Sequence, residues 1–85
     1  MQKEVKYYEG TNIIFRETHY IDGVKNGIEN FFDPQGKPWI KTNYKDGVAH
    51  GEHKHWSGDR GLVRHEVWEN GNLVKTLYIH PTLKE

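Results

Sequence analysis

Four of the six histidines fall between positions 50 and 65: His50, His53, His55 and His65. On an extended strand, residues two apart point to the same side. His53 and His55 therefore share a face, and His65, on the returning strand of a hairpin, is expected directly across from His53. Three imidazoles so placed could converge on a divalent cation such as zinc. The bland reading is that His50 belongs to a repeat junction, that His55 fills an aromatic column, and that His53 and His65 fill a polar pair. The spacing is no established ligand motif, and the chain has no cysteine to add a thiolate. The carboxylates Glu17, Glu29, Glu52 and Glu66 are scattered along strands without the pairing that acid–base catalysis needs. Asp22 and Asp46 each precede a glycine and read as turn residues. Ser57 is the only serine and sits in no nucleophile motif. These residues predict no enzyme, no cofactor and no resident metal, with His53, His55 and His65 as the one alternative.

Composition narrows the classes further. Twelve basic residues balance twelve acidic ones, so nothing advertises nucleic acid or an anionic membrane as a partner. Only 34% of residues are hydrophobic, yet 13% are aromatic, and mean hydropathy is −0.94. Rings must supply much of the burial, since each removes roughly 150–250 Å² from water. No apolar run approaches the ~20 residues of a membrane span, and the first residues lack the apolar centre of a signal peptide. A cytoplasmic protein is expected.

What positions these side chains is an internal repeat of 24 residues. Tyr20, Tyr44 and Trp68 recur at that spacing, as do Asp22-Gly23, Asp46-Gly47 and Asn70-Gly71, and Tyr8, Phe32 and Trp56. Ile14, Pro38 and Leu62, Phe15, Trp39 and Val63, and Tyr7, Phe31 and His55 form further columns. The units run 3–26, 27–50 and 51–74, with a C-terminal cap over 75–85 that pairs with an otherwise open edge. Each unit reads strand, turn, strand, turn: Gly27 to Phe32, then Asp33-Pro34-Gln35-Gly36-Lys37, then Pro38 to Tyr44, then Asp46-Gly47. The expectation is a single domain over 1–85, all-β, built as one elongated, twisted antiparallel sheet of consecutive hairpins.

If the five-residue loops close symmetrically, Phe32 pairs with Pro38, Phe31 with Trp39 and Glu29 with Lys41. Opposed residues share a face. One face then carries Tyr8, Ile14, Tyr20, Phe32, Ile40, Tyr44, Trp56, Leu62 and Trp68 and is expected to be the inner one. The other carries Tyr7, Phe15, Phe31, Trp39, His55 and Val63, flanked by Glu17, Glu29, Lys41, His53 and His65. A thin sheet cannot cover both faces, and contiguous apolar surface marks interaction sites. Tyr7, Phe15, Phe31, Trp39, His55 and Val63 are therefore the expected partner-binding residues.

The strings Tyr44-Lys45-Asp46-Gly47-Val48-Ala49-His50-Gly51-Glu52 and Trp68-Glu69-Asn70-Gly71-Asn72-Leu73 resemble MORN repeats, and more closely their bacterial variant. Val24-Lys25-Asn26-Gly27-Ile28-Glu29 is the same junction with Asn26 in place of histidine. The resemblance covers about Tyr7 to Leu77. It implies a twisted single sheet of hairpins and roles as scaffolds, protein-binding modules and, for some members, membrane-contact modules. Bacterial members with this variant are often labelled antitoxin-like. The last unit departs from the pattern with Val74-Lys75, and the first has Thr11-Asn12 where the second has Gly36. Three units also make a short array.

The expected function is a non-enzymatic protein-binding module, an antitoxin-like inhibitor or an adaptor, that occupies a partner protein through exposed aromatics. A homo-oligomeric structural protein is the alternative, and a His-centred metal or small-ligand domain a weaker one. The expected partner is another protein, with a homodimer also open, and neither nucleic acid nor strong membrane association is expected.

Overall fold

The β-branched and aromatic residues of each unit form strands, and the Asp-Gly and Asn-Gly pairs turn them. A computed structural model describes residues 2–58 and 60–81 of the chain. It contains β1 (Gln2–Tyr7), β2 (Ile14–Ile21), β3 (Val24–Lys25), β4 (Gly27–Phe32), β5 (Pro38–Lys45), β6 (Val48–Ser57), β7 (Gly61–Glu69) and β8 (Asn72–Ile79). All lie in one antiparallel sheet, ordered β1-β2-β4-β5-β6-β7-β8, with the short β3 also pairing with β2. The sheet measures 38 × 32 × 13 Å. Among the described residues no helix is long and apolar enough to cross a membrane.

The tight turns are as their residues dictate. Asp22 and Gly23 have φ of 51° and 78°, Asp46 and Gly47 51° and 86°, and Asn70 and Gly71 51° and 82°. Two successive positive φ values make a type I′ turn, whose twist matches that of paired strands. The longer loop over 33–37 is closed by Asp33, whose Oδ1 accepts from the backbone N–H groups of Gln35 and Lys37, each at 2.9 Å.

The expected cap differs in one respect. Its strand begins at Asn72, ahead of residue 75, and pairs with β7. It covers the edge that β7 would otherwise leave open, as expected, and is itself the last strand of the sheet. Residues 82–85 of the expected cap lie outside the described residues.

The symmetric register fails at a repeated bulge. Phe32 does pair with Pro38, but Phe31 then pairs with Ile40 and Glu29 with Thr42. Trp39 is the extra residue. The same happens where Trp56 pairs with Leu62 but His55 with Arg64, leaving Val63 extra, and where Tyr7 pairs with Ile14 but Lys6 with Arg16, leaving Phe15 extra. Phe15, Trp39 and Val63 are thus one column of bulge residues at the 24-residue period. Each bulge shifts the following strand by one residue, and a shift of one exchanges faces.

The consequence is that the two expected faces are redistributed. Phe31, opposite Arg16 and Ile40, shares a face with them. Beyond the bulges that face continues through Thr18 and Tyr20, Thr42 and Tyr44, and Glu66 and Trp68 by alternation. The face expected to be outer is therefore the buried one. Val63 is 3% exposed, Thr18 1%, Glu29 3%, Thr42 8% and Glu66 4%. Tyr20, Ile40, Tyr44 and Trp68, expected with Phe32 and Trp56, lie with Phe31 and His55 instead.

Candidate binding face

The bulges gather the rings at the loop end of the buried face. Tyr8, Phe15, Phe31, Trp39 and His55 follow one another with ring centroids 5.3, 5.8, 6.4 and 6.4 Å apart. The first three contacts are edge-to-face, the geometry that the quadrupoles of aromatic rings favour. Of the expected binding residues, Phe15, Phe31, Trp39 and His55 meet in this row. Val63 lies beside its end, buried rather than available.

Tyr7 does not join them. β1 is one residue out of the repeat's register, so Glu4, not Val5, lies opposite Thr18. Tyr7 turns to the other face, 56% exposed. Tyr8 enters the row in its place from the longer first loop, and its hydroxyl donates to the Phe32 carbonyl at 2.6 Å.

Trp39 is the most accessible ring of the row, at 41%. It forms one wall of a groove of about 580 Å³. Tyr8, His55, Trp56 and Val63 line the rest, with Asp33 and Arg60 at the loops. Such a groove can hold an apolar side chain or a short extended segment with a polar group at its end.

Behind the rings a polar row crosses the whole sheet. Glu4 lies opposite Thr18, Glu29 opposite Thr42, Thr42 opposite His53, His53 opposite Glu66, and Glu66 opposite Thr76. Thr18 Oγ1 donates to Glu29 Oε2 at 2.8 Å, and Lys25 Nζ lies 3.2 Å from the same oxygen. Thr42 Oγ1 and His53 Nδ1 are hydrogen-bonded at 2.8 Å. Arg64 and Trp68 donate to Glu66 at 2.8 and 3.1 Å. Burial alone would raise the Glu66 pKa, but these two donors hold it below the ordinary carboxylate range. Burial likewise pushes His53 below its ordinary value, against the attraction of Glu66.

Thr42, His53 and Glu66 thus stand in hydroxyl–imidazole–carboxylate order. The Glu66 oxygens are taken by Arg64 and Trp68, and the groove beside Trp39 does not reach these residues. Their geometry satisfies buried polar groups within the sheet. This row was missing from the sequence reading, although Thr18, Thr42 and Glu66, and Glu29 and His53, stand at the repeat spacing. Their differing types hid the column.

The histidines do not converge. Because Val63 is extra, Glu66 rather than His65 falls opposite His53, and His65 lies opposite Lys54 on the other face. There its Nε2 meets Glu52 Oε1 at 2.8 Å. Among the described residues no group of three or more His, Asp or Glu side chains is placed to hold a metal ion.

No family model, no curated protein and no solved structure matches the chain.

Proposed function

We propose that this chain is a non-enzymatic protein-binding module that occupies a partner's surface with the row from Tyr8 to His55 and the groove beside Trp39. One observation carries the reading. Trp39, bulged out of the ladder, stands exposed on a row of otherwise half-buried rings and opens onto a groove. Tryptophan and tyrosine dominate the energetics of protein interfaces because they bury large area with few rotamers. The reading extends to an inhibitor, antitoxin-like protein or adaptor, and it takes each 24-residue hairpin as a MORN-like unit.

The test is site-specific photo-crosslinking in the host cell. A photoreactive aromatic at Trp39 is expected to give a discrete covalent adduct that the same group at Tyr7, on the opposite face, does not. Equal labelling from both positions sinks the reading.

A homodimer is the second reading, and the β8 edge favours it. Leu73, Val74, Leu77 and Tyr78 are all exposed there, whereas the other edge, β1, carries Lys3, Glu4 and Lys6. Long apolar edges invite pairing and charged ones discourage it. Light scattering across concentrations should then show a dimer that Val74→Lys with Leu77→Lys dissociates. A strict monomer at high concentration removes this reading.

A further inference from the structure

The face opposite the aromatic row carries a like-charge conflict. Lys41 on β5 lies directly opposite Lys54 on β6, and Lys54 lies opposite His65 on β7. Like charges directly opposed destabilise a sheet. Among the described residues neither lysine makes an ion pair.

The repeat supplies its own control. One unit earlier the same place holds Glu17 opposite Asn30. There the Asn30 amide donates to the carboxylate at 3.3 Å, and Lys3 Nζ lies 3.7 Å from its other oxygen. One unit later the place holds His65 opposite Tyr78. The fold therefore does not require two cations at this position.

The carboxylate beside the pair is already engaged. Glu52 is bonded to His65 at 2.8 Å. Its pKa lies below the ordinary range, first through that hydrogen bond and then through the charge of Lys54, with a smaller effect from Lys41. One carboxylate thus stands against two ammonium groups and an imidazole. Both lysines are half-buried, and a lysine so placed covers apolar surface with its stem while its ammonium group stays in water.

We infer that the Lys41–Lys54 pair is a docking site for an acidic segment of a protein partner. A carboxylate can bridge two opposed ammonium groups, whose strands stand about 4.8 Å apart. Nucleic acid fits less well. It needs a basic stripe that tracks many phosphates, and here Glu52 flanks a patch of only two lysines and His65. The inference does not depend on the aromatic face, because these side chains point the other way. Together the two faces would let one sheet hold two segments at once, as an adaptor does.

The full chain is titrated with an oligoglutamate peptide and, separately, with inorganic phosphate and a single-stranded oligodeoxynucleotide, while backbone amide shifts are followed. Saturable shifts centred on Lys41, Lys54 and His65 are expected with oligoglutamate, weakening as salt is raised. Lys41→Glu with Lys54→Glu should weaken binding by about tenfold, and Lys41→Arg with Lys54→Arg should retain it. Lys54→Asn, which restores the residue type of the preceding unit, should raise the melting temperature while lowering affinity. Shifts spread evenly over all lysines, tighter binding of the oligonucleotide, or equal saturation by phosphate would overturn the inference. So would a Lys54→Asn chain that melts lower, because the pair would then serve the fold.

Discussion

Thr42 and His53 face each other across the centre of the sheet, with Thr42 Oγ1 2.8 Å from His53 Nδ1. The contact joins the second repeat unit to the third. It sits in a row that does with polar groups what a core usually does with apolar ones. Among the described residues Val63 is the only buried hydrophobic. The stability of this sheet should therefore answer to single hydrogen-bonding groups.

The first consequence concerns pH. His53 in the folded chain titrates below its ordinary value because burial disfavours the imidazolium, more than Glu66 favours it; His55 and Arg64 add to the lowering. In the unfolded chain it takes its proton near pH 6.5. Between the two values the unfolded state binds more protons, so stability falls as pH falls. The contribution is present above about pH 6.5 and is lost as pH drops through the folded pKa. Thermal melts from neutral to mildly acid pH should show a declining midpoint, and His53→Gln should flatten that decline. Parallel curves for the two proteins would remove His53 as its source.

Thr18 carries a second prediction. Its hydroxyl donates to a Glu29 carboxylate that is almost wholly buried. Thr18→Val keeps the shape and removes the donor, leaving that carboxylate to Lys25 Nζ at 3.2 Å. The cost should be about 2 kcal/mol in urea unfolding. Thr18→Ser, which keeps the hydroxyl, should cost under about half of that. If both substitutions cost the same, the methyl group and not the hydrogen bond is responsible.

How far this could be read from the sequence turns on Trp39. The 24-residue spacing of the Asp-Gly and Asn-Gly pairs located the turns, and β4 runs from Gly27 to Phe32 as expected. The bulge was not legible, because an extra aromatic residue looks like any other strand residue. That one insertion decides which face Glu29 and Tyr44 occupy, so the shared row of Phe15, Phe31, Trp39 and His55 was legible but its neighbours were not. Tyr7 was misplaced for a related reason. The register of β1 is set by a first loop longer than its counterparts, and a column of like residues does not report loop length. The histidine cluster dissolved with the same shift.

The row itself yields a third prediction, which separates stability from binding. Phe31 touches both Phe15 and Trp39, whereas Trp39 is more open to water. Each ring pair is worth roughly 0.5–1.5 kcal/mol beyond area burial. Phe31→Ala should therefore destabilise by about 3 kcal/mol. Trp39→Ala should cost less in stability and more in partner affinity. Denaturant midpoints alongside binding of the crosslinked partner measure the two effects, and a Trp39→Ala chain that is the less stable of the pair would contradict the assignment.

The last prediction tests the repeat junction, where β6 passes close to β5 at Gly51. Gly51 has φ of 108°, and a Cβ there would stand 3.3 Å from the Asn43 Cβ. Gly71 also has positive φ, at 82°, but its added Cβ would meet nothing closer than the Val48 Cβ at 3.8 Å. Both positions strain an L side chain, by roughly 1–2 kcal/mol. Only at Gly51 does crowding add to the strain, because the contact is with the root of a side chain and the backbone must give way. Gly51→Ala should thus lower stability more than Gly71→Ala, with the excess appearing as faster amide exchange in β5 and β6 rather than throughout the sheet. Equal losses at the two glycines would mean that backbone conformation alone governs the junction.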